Sequence, residues 1–201
     1  MGNHWHDKKD VFEILRDPNH RIVLPANMYN VDDEKLGIKV FKTSDNIPFA
    51  AMNLLGTVFM KGNNRDPFAA SARLLPTLDK QIKIRFLDIH AETSSEKQCF
   101  GFVLAGKCTA VYGTHWHVPT ADERIILEHT GFITDIGLTG GRDSVIGMDK
   151  EAAIKRMLQK KRFPLHPAKK DLVACYIVVD VDIETGRCLS ITRGRYDCSE
   201  A

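Results

Sequence analysis

No apolar stretch in the 201 residues approaches the roughly 20 needed to cross a bilayer, so a membrane-spanning helix is excluded. The opening residues, MGNHWHDKKD, carry charge at once and hold no apolar segment, so no secretory leader is expected. The five cysteines are odd in number and no two are spaced as CxxC. A disulfide framework and a cysteine zinc site are therefore not expected; the cysteines read as small buried hydrophobes in a reducing cytoplasm. Neither sign of charge is in excess. The 28 Lys and Arg against 26 Asp and Glu leave +2, too near balance to argue for nucleic-acid binding. Low-complexity linkers and internal repeats are also missing, so one domain over 1–201 is expected.

What is present is a soluble-protein balance, 43% apolar and 27% charged. Residues 7–16 read as a short helix with Val11, Phe12 and Leu15 on one face. Short apolar runs at 21–24, 38–41, 49–55, 83–89, 108–112, 124–127 and 132–134 read as strands. The run at 49–55 is almost wholly apolar, as in a strand covered on both faces. Residues 68–75 and 92–104 read as helices, the second capped by Thr93 or Ser94. A glycine-rich loop is expected at 137–147. Asp149 then caps a helix to about Arg162, with an apolar stripe of Ala153, Ile154, Met157 and Leu158. Runs at 172–183 and 188–193, joined by Glu184-Thr-Gly186, read as a closing antiparallel hairpin. Strands mixed with helices make the class α/β or α+β.

The eight histidines are unevenly placed. His90 ends the run KIRFLDI. His115 and His117 follow CTAVY in Gly113-Thr-His-Trp-His117. His4 stands in Gly2-Asn3-His4. Loops at the C-terminal ends of strands are where α/β proteins build sites. An H-x-H pair on an extended loop would turn both imidazoles to one side, and a third from the neighbouring strand end would complete a transition-metal site. A lone strand-end histidine is more often structural, so it is the joint pattern that carries the reading. His6 is held in reserve beside His4. His20, His129 and His166 are read as structural. The basic stretch 155–170 is read as a solvated helix end and loop, since Asp149, Glu151 and Asp171 flank it.

GNH at 2–4, FLDIHAETSSEK at 86–97, GTHWHVPTADERI at 113–125 and FITDIGLTGGRDSVIGMDKE at 132–151 together resemble the bacterial YmdB-like metallophosphoesterases of the calcineurin-like superfamily. The resemblance runs along essentially the whole chain. It implies an α/β sandwich of two mixed sheets flanked by helices, with a binuclear centre of iron or manganese. It implies hydrolysis of phosphodiesters, including 2′,3′-cyclic nucleotides, by a metal-activated hydroxide. It assigns Asn3, His90 and His115 to one metal, His117 to the other, and His4 as proton donor beside them.

The family pattern also opens with a strand carrying Gly-Asp and a second ending in Gly-Glu-Asn. Neither is in these 201 residues, which start at the third motif, with Met1 where relatives have an apolar residue. The expectation is thus of an N-terminally incomplete site, with His117 short of partners and the bridging carboxylate absent. A chain of this kind would bind at most one metal and show little activity by itself. It would also leave an apolar sheet edge beside 49–55 open to self-association into a homo-oligomer. Trp5-His6 stands where the family usually has Thr-Trp. The alternatives to an enzyme are an inactive remnant and a phosphate- or RNA-binding module built on 155–170.

Overall fold

The computed structural model describes residues 2–7, 9–17, 19–28 and 34–198; Met1, read above against the family pattern, lies outside them. The first sheet has six strands: β1 (Ile38–Lys42), β2 (Pro48–Leu55), β3 (Ile84–His90), β4 (Ala110–Thr114), β5 (Arg124–Ile126) and β6 (Thr130–Ile133), in the order β1-β2-β3-β4-β6-β5. Strands β2, β3, β4 and β6 run parallel, while β1 and β5 are antiparallel to their neighbours. Parallel neighbours need a crossover, and helices supply two of the three here. Helix α2 (Pro67–Leu74) links β2 to β3, and α3 (Ser94–Val103) links β3 to β4. Asp66 caps α2 by accepting from the amides of Phe68 and Ala69, and Thr93 caps α3 by accepting from Glu96 N–H.

Strand alternation then sorts the sheet. Met52, Leu54, Leu87, Ile89, Val111 and Phe132 point to the helix side, where they pack with Ala70, Leu74, Phe100 and Leu104. Phe68 of α2 and Phe100 of α3 stack at 4.1 Å between ring centres, which closes this layer. The opposite face carries Ile133, which packs with Cys188 and Ile191 of a second sheet. That sheet is antiparallel throughout: β7 (Thr139–Gly141), β8 (Leu172–Val181) and β9 (Cys188–Asp197). Two sheets with helices outside the larger one make the expected α/β sandwich. Among the described residues no helix is long and apolar enough to cross a membrane.

Several expectations are corrected. Residues 21–24 form no strand: Leu24 N–H bonds Leu36 O outside any ladder, and Ala26 N–H bonds Asn53 O. Strand β2 is not a free edge, since β1 covers one side and β3 the other. The reason is the antiparallel turn at 43–47, which folds the run IKVFK back onto it. The loop at 137–147 contributes β7 to the second sheet. Helix α1 covers only Asp10–Arg16. Helix α4 (Lys150–Gln159) is capped by Asp149 as expected but stops earlier, because Lys160 takes a left-handed φ of 51°. Of its apolar stripe only Ala153 is buried; Met157 is 78% and Leu158 79% exposed. The five cysteines are free, with Cys108 and Cys188 buried and Cys99 exposed.

Candidate metal centre at the strand ends

The faces of β2, β3 and β4 turned away from the helices are polar at their C-terminal ends. Register pairs Asn53 with Asp88, and His90 with Thr114. Alternation therefore puts Asn53, Asp88, His90 and Thr114 on one face. The Thr114 hydroxyl donates to Asp88 Oδ1 at 2.7 Å, and Asn53 Nδ2 donates to Asp88 Oδ2 at 2.8 Å. His90 Nδ1 lies 2.9 Å from the Thr114 hydroxyl. Burial pushes the Asp88 carboxyl above its ordinary range, against the pull of these two hydrogen bonds. Burial, with His115 beside it, pushes His90 down to about 3, so its ring is neutral at pH 7.

Past Thr114 the chain turns sharply. His115 has φ 105° and His117 φ 63°, so the H-x-H segment is not the extended loop expected. What holds it is a buried ion pair. Lys97 Nζ donates to Asp135 Oδ2 at 2.9 Å, and neither side chain has exposed surface. The same oxygen accepts Trp116 N–H at 2.9 Å, and Asp135 Oδ1 accepts Gly137 N–H at 2.9 Å. The Lys97 ammonium sits 4.1 Å from the centre of the Trp116 ring. Gly113 is needed for the close approach, since a Cβ there would fall 1.8 Å from Thr134 O. At the other end, Gly2 lies against His90: a Cβ on it would come within 2.5 Å of the imidazole.

The result is a cleft of about 770 Å³ lined by Asn3, His4, His90, His115 and His117. Both tryptophans of the chain, Trp5 and Trp116, line it too, with Ile146, Met148 and Leu165 as an apolar wall. Asn3 Oδ1 lies 3.0 Å from His90 Nε2, and His115 Nδ1 lies 3.1 Å from the same nitrogen. The other nitrogen of each histidine is occupied. His90 Nδ1 is hydrogen-bonded to the Thr114 hydroxyl. His115 Nε2–H donates to Glu92 Oε2 at 2.9 Å. That leaves His90 Nε2, His115 Nδ1 and the Asn3 carbonyl oxygen as three potential cation ligands, with His90 Nε2 within 3.1 Å of both others. Donors about 2.1 Å from one octahedral cation stand about 3.0 Å apart, which matches the two distances to His90 Nε2. Among the described residues no group of three or more His, Cys, Asp or Glu side chains is set to hold a metal; this triad draws its third donor from an amide.

His117 lies on the same cleft but is held apart, its Nδ1–H donating to Ile146 O at 2.8 Å. His4 stands at the mouth, 77% exposed, with Nδ1 2.8 Å from Asp7 Oδ2. A second cleft of about 750 Å³ meets the first at Asn3 and His4 and is bordered by His6, Lys61 and Asn64. His20 and His129 lie on neither cleft, and the basic side chains of 155–170 are exposed. Asp88, Glu92, Thr114 and the Lys97–Asp135 pair were not found by sequence reasoning. An acid inside the apolar run RFLDIH was the one available signal.

Comparison with known proteins gives consistent relatives. The family described as YmdB-like protein matches residues 1–193. The 2′,3′-cyclic-nucleotide 2′-phosphodiesterase of Bacillus subtilis (strain 168) is 39% identical over 196 residues, covering 96% of this chain and 72% of that protein. The crystal structure of a hypothetical protein from Thermus thermophilus superposes with a TM-score of 0.88 at 29% identity, over 98% of this chain and 75% of the other. That of a novel phosphatase from Mycoplasma pneumoniae gives 0.84 at 31% identity, over 98% and 70%.

Proposed function

From the premise that this chain belongs to the YmdB-like family, we propose that it acts as a metal-dependent phosphodiesterase of the cytoplasm, with 2′,3′-cyclic nucleotides as substrate. The phosphatase and phosphodiesterase names of its relatives support the reaction class. The observation that carries the metal is the convergence of Asn3 Oδ1 and His115 Nδ1 on His90 Nε2, at 3.0 and 3.1 Å. These three would hold one divalent cation, iron or manganese, and His117 would contribute to a second. What such cations supply when bound is charge neutralisation at the phosphate and activation of water for attack.

The chain's own residues do the rest. Glu92 fixes the His115 ring by accepting its Nε2–H. Asp7 accepts from His4 Nδ1–H and would favour the imidazolium, whose second proton, on Nε2, would be the one given to the leaving oxygen. The tryptophans and the wall at Ile146, Met148 and Leu165 suit a flat, partly apolar base beside a phosphate. The test is a Mn²⁺ titration followed by turnover of a 2′,3′-cyclic nucleotide. Saturable Mn²⁺ uptake is the expected result, with any hydrolysis sensitive to chelation. Hydrolysis that survives chelation, or no uptake at all, would count against it.

A further inference from the structure

We propose that the hollow at the N-terminal end of β3, lined by Leu75, Pro76, Leu78, Lys80, Arg85 and Lys107, is a binding site for a small phosphate monoester. Arg85 and His90 stand five residues apart on one strand, about 16 Å of extended chain, so the hollow is separate from the metal cleft. Its charge is the first observation. Several exposed cations elsewhere are paired with carboxylates, as Arg142 is with Asp171, Lys150 with Asp143 and Arg193 with Glu123. Here three cations border one space of about 320 Å³, and no carboxylate lines it. Asp79 neighbours Lys80 in sequence, but it is absent from the lining and its Oδ1 accepts Gln81 N–H. Like charges around one hollow repel, and an anion among them removes the repulsion. The second observation is a fixed frame. Arg85 Nε donates to Ile82 O at 2.8 Å, and the two terminal nitrogens of its guanidinium have no partner among the described residues. Arg85 N–H donates to the Thr109 hydroxyl at 2.9 Å and Thr109 N–H to Arg85 O at 2.7 Å, which ties the segment after Lys107 to β3. Lys107 Nζ donates one proton to Val103 O at 3.0 Å and keeps two. A guanidinium flanked by ammonium groups matches phosphate oxygens. Leu75, Pro76 and Leu78 offer apolar contact to the organic body, and the volume, near the lower end for small-molecule sites, keeps that body small.

The test is a titration of chelator-treated, ¹⁵N-labelled protein with adenosine 5′-monophosphate, with inorganic phosphate and with adenosine, followed by amide chemical shifts. The nucleotide should give saturable shifts at 78–85 and 107–109. Inorganic phosphate should shift the same amides and bind more weakly, and adenosine should shift none of them. Arg85→Gln should weaken nucleotide binding by about tenfold, the loss of a charged hydrogen bond at a half-buried side chain. Lys80→Gln, at an exposed one, should weaken it by about threefold. If Arg85→Gln does not fold, the double variant Lys80→Gln/Lys107→Gln changes only exposed side chains and should weaken binding by about tenfold. Shifts that do not saturate, shifts confined to 113–117, or variants that bind as the wild type does would overturn the proposal. Inorganic phosphate or adenosine binding as tightly as the nucleotide would overturn it too, since one half of the site then holds nothing.

Discussion

Replacing Lys97 by Met probes the device that shapes the H-x-H loop. Met matches the stem of Lys in length, so packing along the chain of methylenes is kept and the ammonium alone is lost. Asp135 is then left buried with two backbone N–H groups, from Trp116 and Gly137, and no cation. Removing one partner of a fully buried pair costs about 3–5 kcal/mol. This pair has no exposed surface on either side chain, so solvent cannot make up the loss. With a urea dependence of about 2 kcal/mol/M, the unfolding midpoint should fall by roughly 1.5–2.5 M. Asp135→Asn should cost a similar amount by stranding the ammonium. The double variant Lys97→Met/Asp135→Asn should lose less than the sum, with a coupling of about 1–3 kcal/mol. Urea unfolding followed by far-UV circular dichroism and Trp fluorescence measures all four proteins. Single variants within about 1 kcal/mol of wild type, or strictly additive losses, would refute the reasoning.

Other outcomes follow from the same geometry. Gly113→Ala should cost about 3 kcal/mol in urea unfolding, because its Cβ would meet the Thr134 carbonyl, a backbone atom that cannot step aside. The Asp122 carboxyl is held below its ordinary value: burial would raise it, but hydrogen bonds from Thr120 and Thr134 prevail. Its stabilisation is therefore complete above the unfolded value and lost as pH falls through the lower folded one. Asp122→Asn should thus be less stable by about 1–2 kcal/mol at pH 7 and converge on wild type in strong acid, by urea midpoints across pH. In a protein that also carries the family's Gly-Asp and Gly-Glu-Asn motifs, His4→Ala should keep its metal but lose roughly two to four orders of magnitude in rate. The loss should shrink for a nitrophenyl ester, whose leaving group needs little protonation, in steady-state assays of both substrates.

Much of this arrangement could be read from local pattern. The apolar run ending in His90 and the run before Gly113 became adjacent parallel strands, because their length and alternation leave few other solutions. That put His90 beside His115 as the family resemblance implied. What could not be read depends on contacts distant in sequence. Lys97 sits in SSEKQCF and looks like a solvated helix lysine, yet it is buried against Asp135, 38 positions away. The hydrogen bond between Thr114 and Asp88 needs the register of β3 against β4. The left-handed backbone at His115 and His117 has no glycine to announce it and is imposed from outside the loop. The stripe on α4 shows the opposite failure. Its periodicity is helical, but Met157 and Leu158 meet no core among the described residues.

The central claim is that Asn3, His90 and His115 form a cation site. The most direct measurement is bound manganese per chain, by elemental analysis after Mn²⁺ loading and desalting, for wild type, His90→Ala and His115→Ala. The account predicts about one tightly held ion or more in the wild type and a loss of at least about tenfold in retained metal in each variant, since a ligand nitrogen has gone with nothing to replace it. Equal manganese in all three proteins, or none in the wild type, would contradict it.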